Sequence, residues 1–162
     1  IKKVKNPYLI AADSMNLWID LFPKQVWELI TKVDIFMLND EEAYQLTNKS
    51  NLEDIADNLL KKGPKIVIIK MGKRGSLVAY KNKKIYISAV PDVTVYDPTG
   101  AGDSFAGGVL GYIASYGLNN PINAVIHGTV VASYTVSGFG LEKLYDINQN
   151  EFDNKIKIIS SK

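Results

Sequence analysis

Two rhythms alternate along the chain: short apolar runs rich in β-branched residues, and longer stretches whose apolar positions recur three and four residues apart. The first run, Leu9-Ile10-Ala11-Ala12, ends on Asp13 and reads as a buried strand whose C-terminal end opens onto a site. Residues 14–19 read as a loop. Residues 23–33 predict an amphipathic helix, with Val26, Trp27, Leu29, Ile30 and Val33 as its core stripe and Pro23 in the first turn. Ile35-Phe36-Met37-Leu38 is a short strand, after which Asn39-Asp40 can cap a helix carrying Glu41, Glu42, Ala43, Tyr44 and Leu46. Residues 52–62 predict a further helix stopped by Gly63-Pro64, and Ile66-Val67-Ile68-Ile69 is a strand of the kind buried in parallel sheets.

Leu77-Val78-Ala79-Tyr80 and Lys84-Ile85-Tyr86-Ile87 predict two strands joined by a turn at residues 81–83. The helix after Gly102 carries Phe105, Val109, Leu110, Ile113 and Ala114. Gly107, Gly108 and Gly111 weaken it by roughly 1 kcal/mol each relative to Ala, and close packing against the sheet is the expected compensation. Asn120-Pro121 opens a second long helix reaching about Ser137; residues 137–140 read as a loop and residues 151–159 as a terminal helix. Strands alternating with helices predict an α/β doubly wound sheet flanked by helices, with its site at the C-terminal strand ends. No repeat or low-complexity linker interrupts the chain, so a single domain over residues 1–162 is the simplest organisation.

At 162 residues and 46% hydrophobic, the sequence has the size of one globular domain able to bury a sizeable core. Its 19 Lys and Arg against 17 Asp and Glu leave a net charge of +2, and the basic residues are scattered, so composition does not point to nucleic acid. Lys61, Lys62 and the lysines of residues 81–84 read as solvated turn charges. The absence of cysteine excludes disulfides and thiolate ligands and fits a reducing compartment. No apolar run is long enough for a membrane span, and Ile1-Lys2-Lys3-Val4 lacks the apolar core of a signal peptide, so a cytoplasmic location is expected.

The candidate chemistry lies where the Gly-rich turn Gly100-Ala101-Gly102-Asp103 runs into a helix. Backbone N–H groups at Gly100, Ala101, Gly102 and Asp103 have no intrahelical partner, and the helix dipole adds to them, which suits phosphate. An acid at a helix start is ordinarily a cap. Beside a polyphosphate, Asp103 is also a candidate base for an attacking hydroxyl, and one carboxylate could do both.

Gly-x-Gly-Asp alone is common in turns. The longer string Asp97-Pro98-Thr99-Gly100-Ala101-Gly102-Asp103-Ser104-Phe105-Ala106-Gly107-Gly108 resembles, nearly letter for letter, the C-terminal signature of the ribokinase-like (PfkB) family of sugar and nucleoside kinases. The resemblance implies that Asp103 is the catalytic base and that Gly100, Ala101 and Gly102 form the anion hole. It implies Asp97 and Thr99 as ligands of a monovalent cation, completed by backbone carbonyls of residues 137–140, so potassium dependence is expected.

Asn39 and Glu42 stand at the i, i+3 spacing of a capping box. In the family an Asn-x-x-Glu pair at a strand end organises magnesium and phosphate, largely through water, and the two roles can coexist. Lys70-Met71-Gly72-Lys73-Arg74-Gly75-Ser76 resembles the family's Gly-x-x-Gly nucleotide loop, which makes Lys70, Gly72 and Gly75 nucleotide-binding candidates; alone it reads as a hairpin entry. His127, the only histidine, reads as a packed residue on an apolar helix, and the resemblance sets that helix beside the adenine pocket, with His127 as a wall and not an acid or base. Asp13-Ser14-Met15-Asn16-Leu17-Trp18 matches the family's Asp-x-Asn-x-Arg segment only in part, with Trp18 where Arg is expected. The competing reading has Asn16 bonding its own turn and Trp18 in the core.

The implied activity is ATP-dependent phosphotransfer to a hydroxymethyl group of a sugar or nucleoside, with Mg2+ as metal. The expected partners are ATP and that small substrate, with no nucleic acid and no membrane; a homodimer is left open. The family's N-terminal half, with its Gly-Gly sugar motif and β lid, is not visible in these residues, so the chain reads as the C-terminal nucleotide and catalytic half. The rival reading is a non-catalytic nucleotide-binding or interaction module left by loss of that half.

Overall fold

The computed structural model describes residues 4–161, so most of the N-terminal segment Ile1-Lys2-Lys3-Val4 lies outside the described residues. Five strands form one sheet in the order β1 (Ala11–Asp13), β2 (Ile35–Asn39), β3 (Ile66–Lys70), β4 (Ser76–Tyr80) and β5 (Lys83–Ile87). The first three are parallel, with Ala12 opposite Phe36 and Met37 opposite Ile68. Parallel neighbours need a crossover. Helices α1 (Asn16–Leu21) and α2 (Pro23–Ile30) supply the first, α3 (Asp40–Thr47) and α4 (Leu52–Leu60) the second. Ile35 to Leu38 and Ile66 to Ile69 are buried at every position, which is why both strands read as unbroken apolar runs. Lys81 and Asn82, both at positive φ (45° and 63°), form a two-residue connection between β4 and β5, so that pair is antiparallel and the sheet is mixed.

The chain divides into two compact units, Ile1–Met71 with Leu77–Ile85 and Gly72–Ser76 with Tyr86–Lys162. In the first, Phe36, Leu38, Val67 and Ile69 of the sheet pack with Ile30, Ala43, Ile55 and Leu59 of the helices. The second is built on α5 (Ala101–Tyr116) and α6 (Pro121–Val136), followed by α7 (Glu142–Tyr145) and α8 (Gln149–Ser160). Pro121 at the first turn of α6 and Asn120, whose side chain accepts the Asn123 amide, start that helix as the sequence predicts. Among the described residues no helix is long and apolar enough to cross a membrane.

Three local expectations change. Residues 16–21 are helical, not loop, and on so short a helix only Ile19 reaches the core, at 4% exposure. Trp18 is therefore not in the core: it is 49% exposed, its ring tilted against Phe22. Asn16 does bond its own turn, accepting from the Leu17 amide at 2.8 Å. Not all the turn lysines are simply solvated, since Lys84 pairs with Asp57 at 2.8 Å and Lys62 sits over the Trp27 ring. The short helix α7 carries no apolar rhythm by which to foresee it.

Candidate active site

In the second unit, the segment before α5 is anchored by its own backbone. The Tyr96 N–H donates to the Val136 carbonyl at the end of α6, at 2.7 Å, which brings residues 96–97 beside the turn at residues 137–140. The Asp97 carboxylate then accepts the Thr99 N–H at 2.9 Å, an Asx-type turn. That amide, and after it the Thr99 hydroxyl, hold the Asp97 carboxyl below the ordinary aspartate range. Asp97 and Thr99 are thus brought together with their oxygens on one turn.

Gly100 is the N-cap of α5 at φ 77°, a left-handed conformation that favours glycine, and no side chain caps the helix. Asp103 occupies the third helical position, exposed and not engaged as a cap. Among the described residues, the amides of Gly100, Gly102 and Asp103 have no hydrogen-bond acceptor. The Ala101 amide differs from expectation: it donates to the Pro98 carbonyl at 3.1 Å, because the chain tightens into a turn just before the helix. The arrangement offers an anion three backbone donors, the positive end of a 16-residue helix and a carboxylate beside them.

In the first unit, the C-terminal ends of β1, β2 and β3 carry a connected set of polar side chains. Asn39 and Glu42 form the complete capping box: the Asn39 side chain accepts the Glu42 amide at 2.8 Å, and Glu42 Oε2 accepts the Asn39 amide at 3.0 Å. The same Oε2 accepts the Ser14 hydroxyl at 2.7 Å. Glu42 is only 6% exposed, yet among the described residues no lysine or arginine pairs with it. Lys70, whose Cα is in register with that of Asn39, is ion-paired to Asp13 instead. Nothing in the spacing of Asp13 or Ser14 announced either contact. Both depend on β1 lying beside β2.

The remaining candidates divide. Gly72 opens a 3₁₀ turn (Gly72–Arg74) at φ 57° with open space around its α-carbon. Gly75, at φ 92°, is fixed by packing: a β-carbon there would lie 1.9 Å from the Ile87 carbonyl oxygen. His127 is half-buried on α6, its Nδ1 2.8 Å from the Asn123 carbonyl, which makes that nitrogen the donor. Its ring lies between those of Tyr112 (4.5 Å) and Phe152 (5.7 Å).

The fold is shared with known proteins. The chain is 32% identical over 131 residues to the ribokinase of Staphylococcus aureus, covering 75% of this chain and 42% of that enzyme. Its fold matches the crystal structure of the nucleoside kinase of Methanocaldococcus jannaschii with a TM-score of 0.75 at 23% identity, over 96% of this chain and 50% of that one. The aminoimidazole riboside kinase of Salmonella enterica, solved with aminoimidazole riboside and an ATP analog, matches with a TM-score of 0.74 at 22% identity, over 90% of this chain and 51% of that one. The chain spans less than half the length of the curated relatives it matches. Residues 9–146 match the family described as pfkB family carbohydrate kinase, and the chain belongs to that family.

Proposed function

We propose that this chain carries the nucleotide and catalytic machinery of an ATP-dependent kinase that phosphorylates a hydroxymethyl group of a sugar or nucleoside. The observation that carries this reading is the first turn of α5, where three acceptor-free amides adjoin an exposed Asp103 that caps nothing. Gly100 and Gly102 donate to the phosphates, and the Ala101 amide joins them by giving up its bond to Pro98. Asp103 accepts the proton of the substrate hydroxyl as its oxygen attacks the γ-phosphorus. The bond from that phosphorus to the bridging oxygen breaks, and ADP leaves with the electron pair. The dipole of α5 and the fixed amides stabilise the charge that develops.

Asn39 and Glu42 suit a magnesium ion held through water. Glu42 is a buried carboxylate met only by neutral donors, a charge that a hard cation or its hydration shell would balance. When bound, magnesium would neutralise charge on the phosphates. Asp97 and Thr99 offer oxygens suited to potassium. Lys70 reaches a nucleotide phosphate by leaving Asp13, Gly72 lines the approach of the nucleotide, and His127 walls the adenine.

The test is Asp103→Asn in the full-length protein, assayed for ADP formation over a panel of sugars and nucleosides with ATP and magnesium. Turnover should fall at least about a thousandfold while ATP affinity stays within a few-fold. Turnover comparable to wild type would defeat the assignment of Asp103.

A further inference from the structure

Ser14 directly follows β1. Its backbone is already fixed without its side chain: its N–H donates to the Met37 carbonyl at 3.0 Å and is 3.0 Å from Asp13 Oδ1. The hydroxyl is therefore not needed to place the strand end. It donates instead to Glu42 Oε2 at 2.7 Å, the oxygen that also accepts the Asn39 amide at 3.0 Å. Two donors on one oxygen, one from just after β1 and one from the end of β2, hold Oε2 of a carboxylate that is 6% exposed.

We infer that Ser14 is a positioning residue for Glu42, and that its hydroxyl sets the affinity with which the Glu42 carboxylate engages hydrated magnesium. This rests on the kinase reading above. A partner that orients a cation-binding carboxylate acts on metal affinity without touching the reacting atoms, and loss of such a partner weakens affinity by about tenfold or more. Asp13, adjacent in sequence, pairs with Lys70.

The experiment compares Ser14→Thr with Ser14→Val, side chains of nearly equal volume that differ in the hydroxyl, in the full-length protein without acceptor substrate. ATP binding is measured by calorimetry across a magnesium titration, so the readout is cation-dependent affinity and not turnover. The magnesium midpoint of Ser14→Thr should match wild type, and that of Ser14→Val should rise about tenfold, with ATP affinity in the absence of magnesium unchanged in both. Glu42→Gln should abolish the magnesium dependence. Equal midpoints for the Thr and Val variants, with wild-type dependence on magnesium intact, overturn the positioning role alone. Absence of any ATP binding by wild type at any magnesium concentration overturns the kinase reading and this inference with it.

Discussion

Gly108 on α5 and Gly128 on α6 face each other so closely that a β-carbon added to Gly108 would lie 2.8 Å from the Gly128 Cα. A β-carbon on Gly128 would meet the Phe105 carbonyl oxygen and the Val109 side chain, each at 2.6 Å. These neighbours include backbone, which cannot rotate aside. The two helices touch at their main chains there, so the close packing that accounts for Gly108 in α5 is against α6.

Gly128→Ala should therefore destabilise the protein by about 2 kcal/mol or more, even though Ala is the better helix former. Gly111 is the control. It is exposed with nothing near its α-carbon, and Gly111→Ala should stabilise by roughly 0.5–1 kcal/mol. Urea unfolding of both variants checks the pair, and similar behaviour of the two would contradict the close contact.

Gly72 and Gly75 should separate in the same way. Gly75→Ala brings a β-carbon within 1.9 Å of the Ile87 carbonyl oxygen at φ 92°, and a loss of about 3 kcal/mol or more is expected. Gly72→Ala meets no atom and carries only the cost of its positive φ, about 1 kcal/mol. Thermal unfolding of the two variants tests this. An unchanged melting temperature for Gly75→Ala would show that the Ile87 strand can move aside.

Asp34 gives the first unit an acid-sensitive joint. Its carboxylate pairs with Lys65 at 2.7 Å and accepts the Ile10 amide at 3.0 Å, and its own backbone bonds Ile10, Lys65 and Ile66, so it ties together the starts of β1, β2 and β3. The Lys65 bond first, and the Ile10 amide next, lower its pKa from the ordinary value of 3.8. A lowered folded-state value means the stabilisation is complete above the unfolded value and is lost as pH falls through the folded one. Asp34→Asn should cost up to about 1 kcal/mol at neutral pH, since Lys65 is mostly exposed. It should also flatten the loss of melting temperature below about pH 4. Melting curves from pH 2 to 7 decide it: parallel curves for variant and wild type would remove Asp34 as the cause.

The sequence by itself determined the elements and the family. Unbroken apolar runs at residues 35–38 and 66–69, the second wholly β-branched, read as strands covered on both faces, and Asn39 with Glu42 is a reciprocal cap whose partners lie within one turn. The string from Asp97 to Gly108 is local too, since its amides, its glycine at positive φ and its acid all lie within one stretch of backbone. Tertiary structure decided what depends on residues far apart in sequence. The side of α1 that turns inward buries Ile19 and leaves Trp18 out. Ile87 forbids any side chain at Gly75. Ser14 reaches Glu42, 28 positions away, and Lys70 reaches Asp13, 57 away, only because parallel pairing brings the ends of three strands together. Such contacts leave no periodic trace in the sequence, because the spacing that makes them is set by the sheet and not by the chain.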